Sequence, residues 1–240
     1  MPRPTRRSSA PLLLAALALL PACSIYIGDG DAVTEERAIG PFTRVAVTST
    51  VDVEITVDAE RGEGLTLTCD GNLIDDVDTR VVGDTLRIDS DSGLLRPRAG
   101  CFAEVRARRL EAVEVTGSGD LFVLGAAPDL AKLSTSGSGD VFAEAIAAPV
   151  VDAASSGSGD MILRGEAVDV SLASSGSGEI TAADLEAEAV HAESTGSGDI
   201  SLSAAVLVFA RASGSGDILV LGDPESRDVE SSGSGDVLFR

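Results

Sequence analysis

The sequence predicts an all-β protein, a parallel β-solenoid of the right-handed β-helix-like kind, with coils of about 20 residues. Three observations carry that prediction. A glycine-serine-glycine turn recurs, with its first glycine at Gly117, Gly137, Gly157, Gly176, Gly196, Gly214 and Gly233. Apolar residues recur at fixed offsets on both sides of the turn. No apolar stripe of 3.6-residue period runs through the chain, and glycine and β-branched residues fall where helix centres would lie.

The columns can be read one at a time. Four residues before the first glycine stand Val113, Leu133, Ala153, Leu172, Ala192, Ala210 and Val229. Four after it stand Leu121, Val141, Met161, Ile180, Ile200, Ile218 and Val237. Six after it stand Val123, Ala143, Leu163, Ala182, Leu202, Val220 and Phe239. The last two columns are two residues apart, as the inward positions of a strand must be. Each repeat therefore reads as strand, tight turn, strand. One repeat is too small to bury a core, but stacked copies spaced about 4.8 Å apart bury a continuous one.

The turn has its own chemistry. Its glycines permit positive φ and close approach of neighbouring turns. The preceding hydroxyl residues (Thr116, Ser136, Ser156, Ser175, Thr195, Ser213, Ser232) and the middle serines can bond turn backbone or the next coil. An acid closes each turn: Asp120, Asp140, Asp160, Glu179, Asp199, Asp217 and Asp236. Stacked carboxylates about 5 Å apart repel by ~0.8 kcal/mol per neighbour in water, so something must offset them. Two answers are open. Turn amides need acceptors and could supply the compensation. Alternatively the column binds calcium, a hard cation that takes several oxygens.

Ahead of the repeat, residues 38–109 carry the strand pattern without the glycine turn. "RVAVTSTVDVEITV" alternates near period two, and "GLTLTC" and "GDTLRID" follow. These read as irregular opening coils of one domain, residues 38–240, whose repeats occupy 110–240. Residues 23–37 read as a tether. Residues 1–22 read as a signal peptide: Arg3, Arg6 and Arg7 precede the apolar run Ala10 to Leu20, which is too short to span a bilayer. "LPAC" then resembles a bacterial lipobox, which makes Cys23 the acylated residue and the mature N-terminus. Ser24 is not the aspartate that retains lipoproteins in an inner membrane, so an outer membrane is favoured where the host has one. Twin arginines are present without the Phe-Leu of a twin-arginine signal, which favours Sec export. Cys69 and Cys101 are then left as a disulfide candidate in an oxidising compartment, worth about 3–4 kcal/mol by loop entropy.

"GPFTRVAVTSTVDVEITV", "GDTLRID" and the serial "SGSGDI" turns together resemble the putative auto-transporter adhesin head GIN domain family of bacterial envelope proteins, over about residues 37–240. The resemblance implies a β-helix-like fold at the cell envelope. It implies little about activity.

Composition narrows the function. The net charge of −21 argues against nucleic acid or anionic lipid as a direct partner, apart from a lipid anchor. Hydrophobic residues make up 44% of a chain with no Trp, one Tyr and six Phe, so aliphatic residues must fill the core. No catalytic residues are expected. The lone His191 sits at a variable, outward strand position, and the repeated serines have no base beside them. No zinc spacing, phosphate loop or dinucleotide fingerprint is present. One outward column is apolar at Phe122, Phe142, Ile162, Leu219 and Leu238, interrupted by Thr181 and Ser201. It is either a contact stripe for a partner or a second copy, or a strand covered by chain. The reading is thus an exported, lipid-anchored scaffold or adhesion module with a protein or glycan partner. No cofactor is expected unless calcium fills the acidic column. A calcium-dependent binding module and a polysaccharide-active β-helix enzyme are the alternatives.

Overall fold

The computed structural model describes residues 25–90 and 94–240. Its front part contains β1 (Ile25–Ile27), β2 (Ala32–Arg37), β3 (Arg44–Val47), β4 (Asp52–Val57), β5 (Gly64–Asp70), β6 (Val77–Val82), β7 (Thr85–Ser90), β8 (Leu94–Arg96) and β9 (Phe102–Ala107). The repeats contain β10 (Ala112–Val115), β11 (Leu121–Leu124), β12 (Lys132–Thr135), β13 (Val141–Ile146), β14 (Val150–Ser155), β15 (Met161–Ser174), β16 (Ile180–Ser194), β17 (Ile200–Ser203), β18 (Leu207–Ala212), β19 (Ile218–Leu221), β20 (Ser226–Ser231) and β21 (Val237–Phe239). A short 3-10 turn spans Ile74–Asp76, and no α-helix occurs among the described residues.

The parallel β-solenoid is present. One ladder holds the strands before each turn, in the order β7, β3, β10, β12, β14, β15, β16, β18, β20. The other holds the strands after it, in the order β9, β4, β11, β13, β15, β16, β17, β19, β21. Register is repeat on repeat: Leu121 pairs with Val141, which pairs with Met161, which pairs with Ile180. A side chain that points inward in one coil therefore does so in the next. The three apolar columns are buried as their alternation predicts, through Ala210, Ile218 and Val220. In the last coil Val229 is exposed and Val237 and Phe239 are half-buried, because only one coil packs against them. A fourth buried column, Ala127, Ile146, Leu185 and Ala204, closes the cross-section between the ladders.

The front part differs from a run of opening coils. Residues 44–57 form a coil with the turn Thr48 to Asp52 in place of the glycine turn, and β10 and β11 stack on it. On its other side lie β7 and β9, which come later in the chain. The chain thus leaves the first coil, builds what lies beneath it, and returns above it at Ala112. Antiparallel pairs finish that lower end: β6 with β7, β5 with β9, and β2 with β5. The segment expected to be a tether is instead part of this cap. Ala32–Arg37 pairs along β5, and Ile25–Ile27 pairs in parallel with Leu94–Arg96. Alternation in "AVTEER" is too weak to mark a strand, and its pairing depends on β5, which is distant in sequence.

The glycine turns are a stacking device. A Cβ built on Gly157 would lie 2.0 Å from the carbonyl oxygen of Gly137, and one on Gly137 would lie 1.9 Å from that of Gly117. Backbone cannot move aside as a flexible side chain can. The turn glycines were also expected to use positive φ, and they do not. Within the repeats positive φ falls at the far corner, at Gly125, Gly165 and Gly222. In the first coil Ser49 and Val51 occupy the positions of the two glycines.

Candidate functional surfaces

The acidic column is a hydrogen-bond ladder. The Asp160 N–H donates to Asp140 Oδ1 at 2.7 Å, and the Asp140 N–H donates to Asp120 Oδ1 at 2.9 Å. Asp236 donates to Asp217, and Asp217 to Asp199, in the same way. The ladder begins one coil earlier than the repeats, at Asp52, whose Oδ1 accepts the Asp120 N–H at 2.9 Å. Glu179 interrupts it. Its own N–H donates to Asp160, but its Oε1 accepts the Thr181 hydroxyl at 2.9 Å. A hydrogen bond to a charged acceptor is worth about 1.5–3 kcal/mol, which exceeds the ~0.8 kcal/mol repulsion between neighbouring carboxylates. Turn amides therefore supply the offset. Among the described residues no group of three or more His, Cys, Asp or Glu side chains is arranged to hold a metal ion.

The hydroxyls that brace the turn are one residue earlier than expected. Thr135, Ser155, Ser174 and Ser194 are buried, and each donates to the carbonyl of the second glycine of its own turn, at 3.2–3.4 Å. Ser231 does the same at 2.8 Å. The signal was a hydroxyl at a position of inward parity. The residues just before the first glycine are largely exposed and contribute backbone bonds, such as Ser156 N–H to the Thr135 carbonyl at 2.9 Å, while the Thr116 hydroxyl donates to the Val47 carbonyl of the neighbouring coil at 3.4 Å as expected.

The apolar outward column lies where alternation puts it. Phe122, Phe142, Ile162 and Leu219 are half-buried, and Leu238 is exposed. The Phe122 and Phe142 rings stack at 4.9 Å with planes 4° apart.

On the other ladder a shallow groove of about 500 Å³ crosses β14, β15, β16 and β18. Two outward columns form its floor. One runs Val150, Asp169, Ala189, Leu207 and the other runs Asp152, Ser171, His191, Phe209. The small residues Ser171 and Ala189 lie between larger neighbours, which makes the surface concave. At one end the exposed His191 ring stacks on Phe209 at 4.5 Å, 11° from parallel, and makes no hydrogen bond among the described residues. At the other stand the exposed carboxylates of Asp152 and Asp169. Reading the column of His191 as merely variable missed the groove; the dip from Val150 to Ala189 and back to Leu207 was its signal.

Cys69 and Cys101 are joined as a disulfide, buried, with Cα atoms 4.2 Å apart. It pins β5 beside the start of β9 in the cap. Next to it, the fully buried Asp70 accepts the N–H groups of Ala99, Gly30 and Arg98. Burial pushes the carboxyl pKa up, but these hydrogen bonds outweigh that and hold it below the ordinary aspartate value. Cys23, expected to carry the lipid, lies outside the described residues.

A model of the family described as "Putative auto-transporter adhesin, head GIN domain" matches residues 41–224. Among solved structures, a "putative adhesin" from Bacteroides fragilis superposes with a TM-score of 0.84 at 24% identity, covering 89% of this chain and 99% of that one. A "putative lipid binding protein" from Parabacteroides distasonis gives 0.72 at 25% identity, covering 90% and 100%. A "putative adhesin" from Parabacteroides merdae gives 0.66 at 17% identity, covering 89% and 99%. No curated protein matches the chain.

Proposed function

Because the chain belongs to the putative auto-transporter adhesin, head GIN domain family, we propose that it is an exported cell-envelope binding module without catalytic activity. It is anchored by a lipid on Cys23 and engages a glycan partner through the groove on β14 to β18. One observation carries the choice of face: the flat His191–Phe209 stack lies across from the Asp152 and Asp169 carboxylates in a single concavity. An aromatic face takes the apolar side of a sugar ring, and carboxylates accept its hydroxyls, which is the mix of apolar floor and few polar groups that small-molecule sites use. Among the described residues His191 has no hydrogen-bonded partner that would make it a general base, which supports binding over catalysis. The family and its solved relatives support an adhesive role.

The test is a glycan array probed with the mature chain, repeated with His191→Ala and Phe209→Ala. Binding that both substitutions abolish, with melting temperature unchanged, supports the reading. Glycan binding indifferent to both moves the site elsewhere, and release of cleaved sugar would overturn the non-catalytic assignment.

A further inference from the structure

We propose that β1 and β8 form a membrane seat: the cap end of the solenoid rests directly on the lipid surface, with Ile25 and Ile27 in the interface and Tyr26 at its edge. This rests on the reading of Cys23 as the anchored residue. Ile25, Tyr26 and Ile27 are 54%, 38% and 56% exposed. Nowhere else among the described residues are three successive large apolar side chains exposed. The parallel register puts Ile25, Ile27 and Arg96 on one face of the ribbon, since Ile27 pairs with Arg96, and puts the part-exposed Tyr26 on the other, beside the buried Leu95.

The distance from the anchor selects a membrane over a protein as occupant. Only Ser24 separates Cys23 from Ile25, a reach of about 7 Å of extended chain at most. The strand begins where a tether was expected, so a lipid at Cys23 leaves β1 no slack to leave the surface. Charge agrees. The side chains of Arg96 and Arg98 are exposed and form no ion pair with a carboxylate among the described residues. With Asp29 and Asp31 on the following loop, the exposed side chains of the corner carry two charges of each sign in a chain of net −21, and the third carboxylate there, Asp70, is buried on backbone amides. It is a part of the surface that an anionic headgroup layer does not repel. Tyr26, with an apolar body and a polar tip, suits the edge of that layer. The cap end down sets the height of the groove. Four to seven strand spacings separate β7 from β14 and β18, so the groove stands about 20–35 Å above the cap layer.

Tyr26 reports on its own position, because it is the single tyrosine in a chain without tryptophan. The mature chain from Cys23 is coupled through that thiol to a maleimide lipid in phosphatidylcholine–phosphatidylglycerol vesicles, and Tyr26 emission is quenched from either side. The seat predicts that iodide quenches about threefold or more weakly than in free solution, and that shallow doxyl lipids quench strongly. Ile25→Ser with Ile27→Ser restores iodide access while the melting temperature holds. Equal iodide quenching on vesicles and in solution, with no doxyl effect, overturns the seat. Mass analysis of Cys23 from native envelopes decides the anchor separately, because the coupled chain reports on the seat whether or not the natural protein is acylated.

Discussion

The backbone N–H of Asp160 donates to the carboxylate of Asp140, one coil below, at 2.7 Å. One contact of this kind per coil turns a column of like charges into a stabilising ladder, and it makes the ladder's one gap a design question. Glu179→Asp shortens the side chain to the length used elsewhere and aims its carboxylate at the Asp199 N–H. It is expected to raise stability by about 0.5–1.5 kcal/mol. Asp140→Ala is expected to lower it by about 1–2 kcal/mol, by leaving the Asp160 amide without its acceptor. Urea denaturation of both variants checks the pair, and opposite signs are required.

The same ladder predicts the response to metal. Oδ1 of most of these acids already accepts an amide, so millimolar calcium is expected to leave the melting temperature where excess EDTA leaves it. A saturable rise would reveal a ligand of the folded state and revive the calcium-dependent module.

Gly157 and Gly62 separate stacking from backbone freedom. A Cβ on Gly157 meets the Gly137 carbonyl oxygen at 2.0 Å, whereas one on Gly62 meets nothing within 4 Å. Neither has positive φ. Gly157→Ala should cost about 3 kcal/mol or more through overpacking against backbone. Gly62→Ala should change stability by less than about 1 kcal/mol and in the favourable direction. Thermal melts of the two variants decide it.

Asp70 couples the cap to pH. Its folded pKa is depressed by the Ala99, Gly30 and Arg98 amides, against the opposing effect of burial. A depressed carboxylate contributes stability that is fully present above its unfolded pKa, near 3.9, and is lost as pH falls through the lower folded value. Unfolding followed from pH 6 downward should therefore steepen below about pH 4, and Asp70→Asn should remove part of that slope while lowering stability at neutral pH.

Leu121 and Phe122 test which side of a strand is core. Leu121 is fully buried and Phe122 is half-buried on the Phe142 ring. Leu121→Ala should cost about 2–5 kcal/mol. Phe122→Ser should cost about 0.5–1.5 kcal/mol, the worth of the stack. Any self-association seen by sedimentation that Phe122→Ser and Phe142→Ser together abolish would assign the stripe to an interface between copies.

The solenoid, its coil length and its inward columns are legible in the chain alone. Those follow from two short-range periods, alternation along Leu121 to Val123 and recurrence from Gly117 to Gly137, and both can be read without knowing what lies beside what. The chain also marked the turn glycines as necessary. Only the tertiary structure decided why: Gly157 is glycine because the Gly137 carbonyl oxygen lies beneath it, and its φ is ordinary. The same is true of Asp140, whose partner amide is 20 residues away, and of the concavity between Val150 and Leu207, which exists only once coils are stacked in register. The cap was the least legible part. Its strands pair out of chain order, with β7 and β9 beneath a coil that precedes them, and Ile25–Ile27 is a strand because β8 lies alongside it. Local pattern records which way a side chain faces. The neighbour it meets there is set by long-range pairing, which alternation along one segment does not encode.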